Sequence, residues 1–170
     1  AMAGATYGFR NITGNNAQNA ATGEAGLSVE VIDLGSSQVG FKFLNNCPTY
    51  TVIEGGETVV KSPSITRIFF DDGTLLGPIS LVDKYEIDEL GGVSFFDKKD
   101  NNENLPGGEN LDPDFSTTAG MFTNADPGNN TGVNSGEWLL VGFQLINGKT
   151  YLDTISALSA GCNNPTGTGD

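Results

Sequence analysis

The side chains of this 170-residue chain that could do chemistry are nearly all oxygen acids: 21 Asp and Glu stand against 8 Lys and Arg, with no His. Without an imidazole, a Ser-His-Asp or Cys-His nucleophile set cannot be built. Two carboxylates flanking a bond could still run glycosidase-like acid–base chemistry, and Asp71, Asp72, Asp97, Glu103 and Glu137 form the pool for it. These acids fall in turns and loops with few aromatic neighbours to seat a sugar, and the single Trp138 reads as strand packing. No enzymatic activity is expected.

A hard cation is the better use of such groups. Calcium takes about six to eight oxygens from carboxylates, amides and backbone carbonyls. The loops Asp97-Lys98-Lys99-Asp100-Asn101-Asn102-Glu103 and Asn124-Ala125-Asp126-Pro127-Gly128-Asn129-Asn130 concentrate them, with Asp97, Asp100, Asn102, Asp126 and Asn129 as candidate Ca2+ ligands. Neither loop keeps the EF-hand spacing, because Leu105 stands where that loop requires glycine. Two readings stay open: calcium sites, or solvated turns in which Asp and Asn cap their own backbone. Asp71-Asp72-Gly73 likewise reads as a turn with Gly73 left-handed, or as a source of one ligand shared with a neighbouring loop.

The two cysteines stand far apart, Cys47 in Asn46-Cys47-Pro48 and Cys162 in Gly161-Cys162-Asn163. With no third Cys and no His they complete no zinc or iron site. In an oxidising compartment a Cys47–Cys162 disulfide would close a loop of about 115 residues and stabilise the fold by about 4 kcal/mol in the chain-entropy model. The other reading is two buried thiols. A net charge of −13 repels phosphate backbones and excludes nucleic acid as a direct partner, and an anionic membrane surface is disfavoured. No apolar run reaches the roughly 18 residues of a membrane span, and Ala1-Met2-Ala3 reads as either a processed N-terminus or a cloning scar.

The elements that must position these residues are mostly strands. The length predicts one domain over 1–170, and 24 Gly, 7 Pro and 17% charged residues predict short strands joined by tight turns. A first strand is expected over 6–12, a polar connection over 15–26, and a hairpin of 27–31 with 39–43 across Gly35-Ser36-Ser37. A second hairpin pairs 50–53 with 58–61 across Glu54-Gly55-Gly56-Glu57. The nearly continuous apolar run 65–70 predicts a central strand, whereas Pro78 demotes 75–82 to an edge or a bulge. Residues 93–95 form a short strand, and 97–114 and 124–137 read as long loops. Leu139, Val141, Phe143 and Leu145 alternate strictly, the strongest strand pattern in the chain. Thr150 caps the single expected helix, which ends at Gly161.

Several blocks, taken in order, resemble exported bacterial proteins of the PEP-CTERM sorting type over nearly the whole chain. They are Gly23-Glu24-Ala25, the hairpin from Gly35 to Phe43, Phe70-Asp71-Asp72-Gly73-Thr74-Leu75-Leu76-Gly77, Leu105-Pro106-Gly107-Gly108, Thr117-Thr118-Ala119-Gly120-Met121-Phe122, Gly132-Val133-Asn134-Ser135-Gly136-Glu137 and the final helix. The resemblance implies export, loss of a sorting tail and residence at the cell surface or in an extracellular polysaccharide matrix, with no enzymatic activity. Cys47 to Ser62 departs from it as an inserted hairpin, and the further apolar strand such proteins carry does not appear before Asp170.

Unless the sandwich closes with the strands it has, a sandwich short of a strand presents an open edge and groove. A neighbouring copy could fill it by strand donation, and the segment carrying Tyr7, Phe9 and Ile12 is the expected donor. The expected fold is an all-β antiparallel sandwich of about seven to ten strands, jelly-roll-like or Ig-like, with one short C-terminal helix. The expected function is a secreted, non-catalytic structural or adhesive protein of the cell surface or extracellular matrix that self-assembles into fibres. The alternative is a carbohydrate-binding module for extracellular polysaccharide.

Overall fold

The computed structural model describes residues 4–14, 16–86, 92–97, 105–111, 114–117, 122–125 and 131–162. Along the chain run β1 (Gly4–Gly8), α1 (Ala17–Gly26), β2 (Leu27–Gly35), β3 (Gln38–Asn45), β4 (Tyr50–Glu54), β5 (Glu57–Lys61), β6 (Arg67–Phe69), β7 (Leu76–Tyr85), β8 (Phe95–Asp97), a 3-10 turn Gly108–Asn110, β9 (Phe122–Ala125), β10 (Trp138–Leu145) and α2 (Tyr151–Cys162). The strands form an antiparallel five-stranded sheet ordered β1-β2-β3-β10-β7, a three-stranded sheet ordered β6-β9-β8, and the separate hairpin β4-β5. The fold is all-β and sandwich-like, as the composition predicts.

The alternating strand 138–145 lies inside the main sheet, between β3 and β7. Leu139, Val141, Phe143 and Leu145 point into the core, where they meet Phe41, Phe43, Val39, Val29 and Val31. Phe70, just beyond β6, closes this cluster with edge-on rings at 4.9 Å from Phe143 and 5.3 Å from Phe41, a geometry that adds to simple area burial. The β2–β3 hairpin forms as expected. Ser36 and Ser37 both take positive φ, 52° and 57°, the left-handed pair that a turn matching the strand twist requires, and Leu145 N–H donates to Ser37 O at 2.7 Å to hold it.

Four expectations need correction. The polar stretch read as a connection contains α1: Asn16 Oδ1 accepts from the backbone N–H of Gln18 and Asn19, and alanines follow at good helical propensity. The first strand ends at Gly8, so Phe9 and Ile12 lie outside it. The run 65–70 is not central among the described residues, where β6 pairs only with β9 and stands at the end of the three-stranded sheet. It is apolar because Ile68 enters the core while Phe69 and Phe70 line a cleft. The Cys47–Cys162 disulfide is not formed, since Cys47 is a buried free thiol. The unforeseen helix explains it: Cys47 packs beneath α1, against the bare Cα of Gly26, and its thiol donates to Thr22 O at 3.4 Å. Burial pushes this thiol's pKa up, so it behaves as packing.

A buried polar knot locks the main sheet to the approach of β6. Asn45 is fully buried and satisfies every group it has. Its Nδ2 donates to Pro63 O at 2.7 Å and Val133 O at 2.8 Å, its Oδ1 accepts from Cys47 N–H at 3.0 Å, and its backbone pairs with Glu137 and Gly136. Glu137, at 1% exposure, accepts from Asn134 N–H at 2.9 Å. A satisfied network of this kind fixes one arrangement of the strands it joins.

Candidate functional site

Three of the five pooled acids, Asp71, Asp72 and Glu137, accept backbone hydrogen bonds that hold turns and loops. Asp72 Oδ2 accepts from Leu76 N–H at 2.7 Å and shapes the turn into β7, with Gly73 at φ 63°. Asp71 Oδ2 reaches across the chain to Ser116 N–H at 3.0 Å, joining two blocks that the sequence keeps 45 residues apart. Glu137 belongs to the polar knot. Asp97 ends β8, and Glu103 and the candidate calcium ligands Asp100, Asn102, Asp126 and Asn129 lie outside the described residues. Among the described residues no group of three or more acidic or cysteine side chains is gathered.

The two outer strands of the main sheet are built differently. β7 carries Pro78, which has no N–H to offer, and its pairing with β10 slips twice, between Leu140 and Val141 and between Phe143 and Leu145. Its far end is exposed and charged at Asp83 and Lys84. The Lys84 ammonium donates to Val93 O at 2.7 Å and pairs with Glu86 at 3.0 Å, while Glu86 accepts from Val93 N–H at 2.7 Å. That stitching lays the 92–95 segment alongside the strand. β1 has none of these devices. Its five residues, Gly-Ala-Thr-Tyr-Gly, pair with β2 in unbroken register from Gly4↔Ile32 to Gly8↔Ser28, with no charge and no proline. Among the described residues nothing pairs with its other side.

The segment expected as a strand donor is therefore engaged in its own chain. Tyr7 is paired in β1 opposite Val29, the Phe9 ring stacks at 6.4 Å from Phe43, and Ile12 O accepts from Asn110 Nδ2 at 2.8 Å. Phe9 also lines an apolar cleft beneath the main sheet. One chamber, of about 320 Å³, lies against Phe41, Phe70, Leu75 and the α2 residues Thr154 and Leu158; a second, of about 480 Å³, lies against Leu27, Ile65 and Leu105. Phe43, Phe69, Leu111 and Phe115 belong to both. The acidic turn and the Gly-Gly loop thus meet at this cleft, which their spacing in the sequence could not show.

Trp138 is not core packing. It stands half-buried on the outer face of the main sheet, in register with Tyr85, and the two rings stack at 6.5 Å with 19° between planes. The Lys42 ammonium sits 4.4 Å from the indole centroid. Glu30 faces Lys42 across β2 and β3, and Asp83 flanks Leu140 on the same face. The strand alternation carried this information, because 138 is out of phase with 139, 141 and 143.

Comparison with protein-family models, with curated proteins and with solved structures gave no match. Among the described residues no helix is long and apolar enough to cross a membrane.

Proposed function

We propose that this chain is a non-catalytic structural or adhesive domain of the cell surface or extracellular matrix, which associates with further copies of itself through the free side of β1. The observation that carries the reading is the unguarded edge. A row of unpaired N–H and C=O groups without charge, proline or bulge is a template for another strand, and every such device is present on β7 instead. Two copies meeting about a twofold axis place β1 against β1, antiparallel and centred on Thr6, so that two five-stranded sheets become continuous. The extracellular address rests on the resemblance to PEP-CTERM proteins. The engagement of Asp71, Asp72 and Glu137 in loop bonds supports the non-catalytic part.

Thr6→Lys tests it. Thr6 is exposed and faces Glu30, so lysine keeps a favourable cross-strand pair inside the chain and sets two ammonium groups against each other at the twofold. Light scattering on the wild type should show mass rising with concentration toward the dimer, and T6K should stay monomeric with an unchanged melting temperature. A wild type that stays monomeric at its highest soluble concentration overturns the reading.

The stacked Tyr85 and Trp138 favour a second reading, a polysaccharide held on the outer face, since sugar rings bind through aromatic stacking bordered by charged hydrogen-bonding groups. Pull-down on an insoluble neutral polysaccharide separates the two. Tyr85→Ala should abolish retention and T6K should leave it intact if the outer face binds glycan, and no retention of the wild type removes this reading.

A further inference from the structure

We infer that the cleft beneath the main sheet is a binding site for a neutral amphiphile, an aliphatic chain bearing one hydroxyl or carbonyl group, with that group paired to Thr154. Both chambers, about 320 and about 480 Å³, fall within the volume range of small-molecule sites, and their shared walls are phenylalanine and leucine. Thr154 lines the first chamber at 1% exposure, and its Oγ1 has no hydrogen-bond partner. A buried hydroxyl left unpaired is costly, and one placed on the wall of an apolar cleft marks where a ligand's single polar atom is met.

The charge of the site selects the head group. Asp71, Asp72 and Asp114 line the same chamber as Thr154, and the whole chain carries −13, so a carboxylate or phosphate head group is repelled there. Arg10 and Arg67 line only the second chamber and are engaged in interactions of their own. The alkyl chain therefore runs past Phe43 and Phe69 toward the second chamber, with the neutral head at α2. This site lies on the inner face of the sheet and is independent of the β1 edge.

The probes are 1-decanol and decanoate, measured by displacement of N-phenyl-1-naphthylamine from the full chain and by the shift in melting temperature. Decanol should displace the dye and raise the melting temperature, while decanoate should bind at least about tenfold more weakly. Thr154→Val keeps the shape of the side chain and should weaken decanol about five- to tenfold without changing dye affinity. Ala157→Trp, on the exposed side of α2 at the mouth of the first chamber, should abolish binding of both. No binding of decanol to the wild type, equal binding of decanoate, or binding untouched by A157W would each overturn the inference. If T154V fails to fold, the alcohol-against-acid comparison and A157W decide it.

Discussion

The two outer strands of the main sheet differ in almost everything that governs whether a strand recruits another. β7 is ten residues long, carries Pro78, slips register twice against β10 and is stitched by Lys84 and Glu86 to the segment beside it. β1 is half that length, uncharged, and in perfect register. An exposed strand is normally blunted by one or more of the devices found on β7. Their concentration on one side is what favours the proposed association through β1: with β7 blunted, growth by strand pairing would stop at pairs of molecules rather than run on into fibres.

The most drastic way to break the comparison is to open the closed side. Pro78→Val with Asp83→Thr restores a donor and removes a charge at exposed positions of β7. If edge protection is what limits growth, light scattering and electron microscopy should show open-ended polymers in place of pairs. A double variant with the wild-type mass distribution would mean that the 92–95 segment alone closes that edge.

Core truncation sharpens the contrast between the middle of the sheet and its rim. Phe143 is 2% exposed, lies between β3 and β7 in the sheet and meets the rings of Phe41 and Phe70, so Phe143→Ala should cost about 3–5 kcal/mol in urea unfolding. Asn45→Ala takes the side-chain donor from Pro63 O, one of two donors from Val133 O and the acceptor from Cys47 N–H, and should cost about 3 kcal/mol. Tyr7→Ala, on the half-buried face of β1, should cost well under half of the Phe143 value. A Tyr7 penalty as large as that of Phe143 would show that β1 is part of the cooperative core and not an appended edge.

The central strands, both hairpins and α2 were legible because their side chains repeat with the period of the element. Leu139, Val141, Phe143 and Leu145 needed nothing else. What escaped were features without a period. α1 buries little besides Thr22 and Gly26, so it shows no apolar stripe, and only Asn16 followed by Ala-Gln-Asn-Ala-Ala marked it. The run 65–70 looked central because it is apolar on both faces, yet its second face looks into a cleft. The cleft itself was invisible, since Asp71 and Ser116 meet only in three dimensions. Trp138 could have been placed by phase alone, and Cys47 could not, because its partner is a backbone carbonyl of the helix that went unread.

The smallest expected effect concerns the support beneath β1. Tyr151 Oη donates to Val31 O at 3.3 Å, so α2 props β2 from below. Its cap is reciprocal: Asp153 Oδ2 accepts from Thr150 N–H at 2.6 Å while Asp153 N–H donates to Thr150 Oγ1 at 3.4 Å. Those bonds hold the Asp153 carboxyl below its ordinary value of 3.8. A lowered folded value gives stability that is present above 3.8 and lost as pH falls through the folded value. Wild type should therefore exceed Asp153→Asn in stability at neutral pH, with the gap closing in acid below pH 3.8. A gap that persists unchanged in strong acid would contradict the capping role.

Amide hydrogen exchange of the two outer strands at low and high protein concentration tests the asymmetry most directly. The account predicts that protection in Gly4–Gly8 rises with concentration while that in Leu76–Tyr85 stays constant. Protection that is independent of concentration in β1, or that rises in β7 instead, would contradict it.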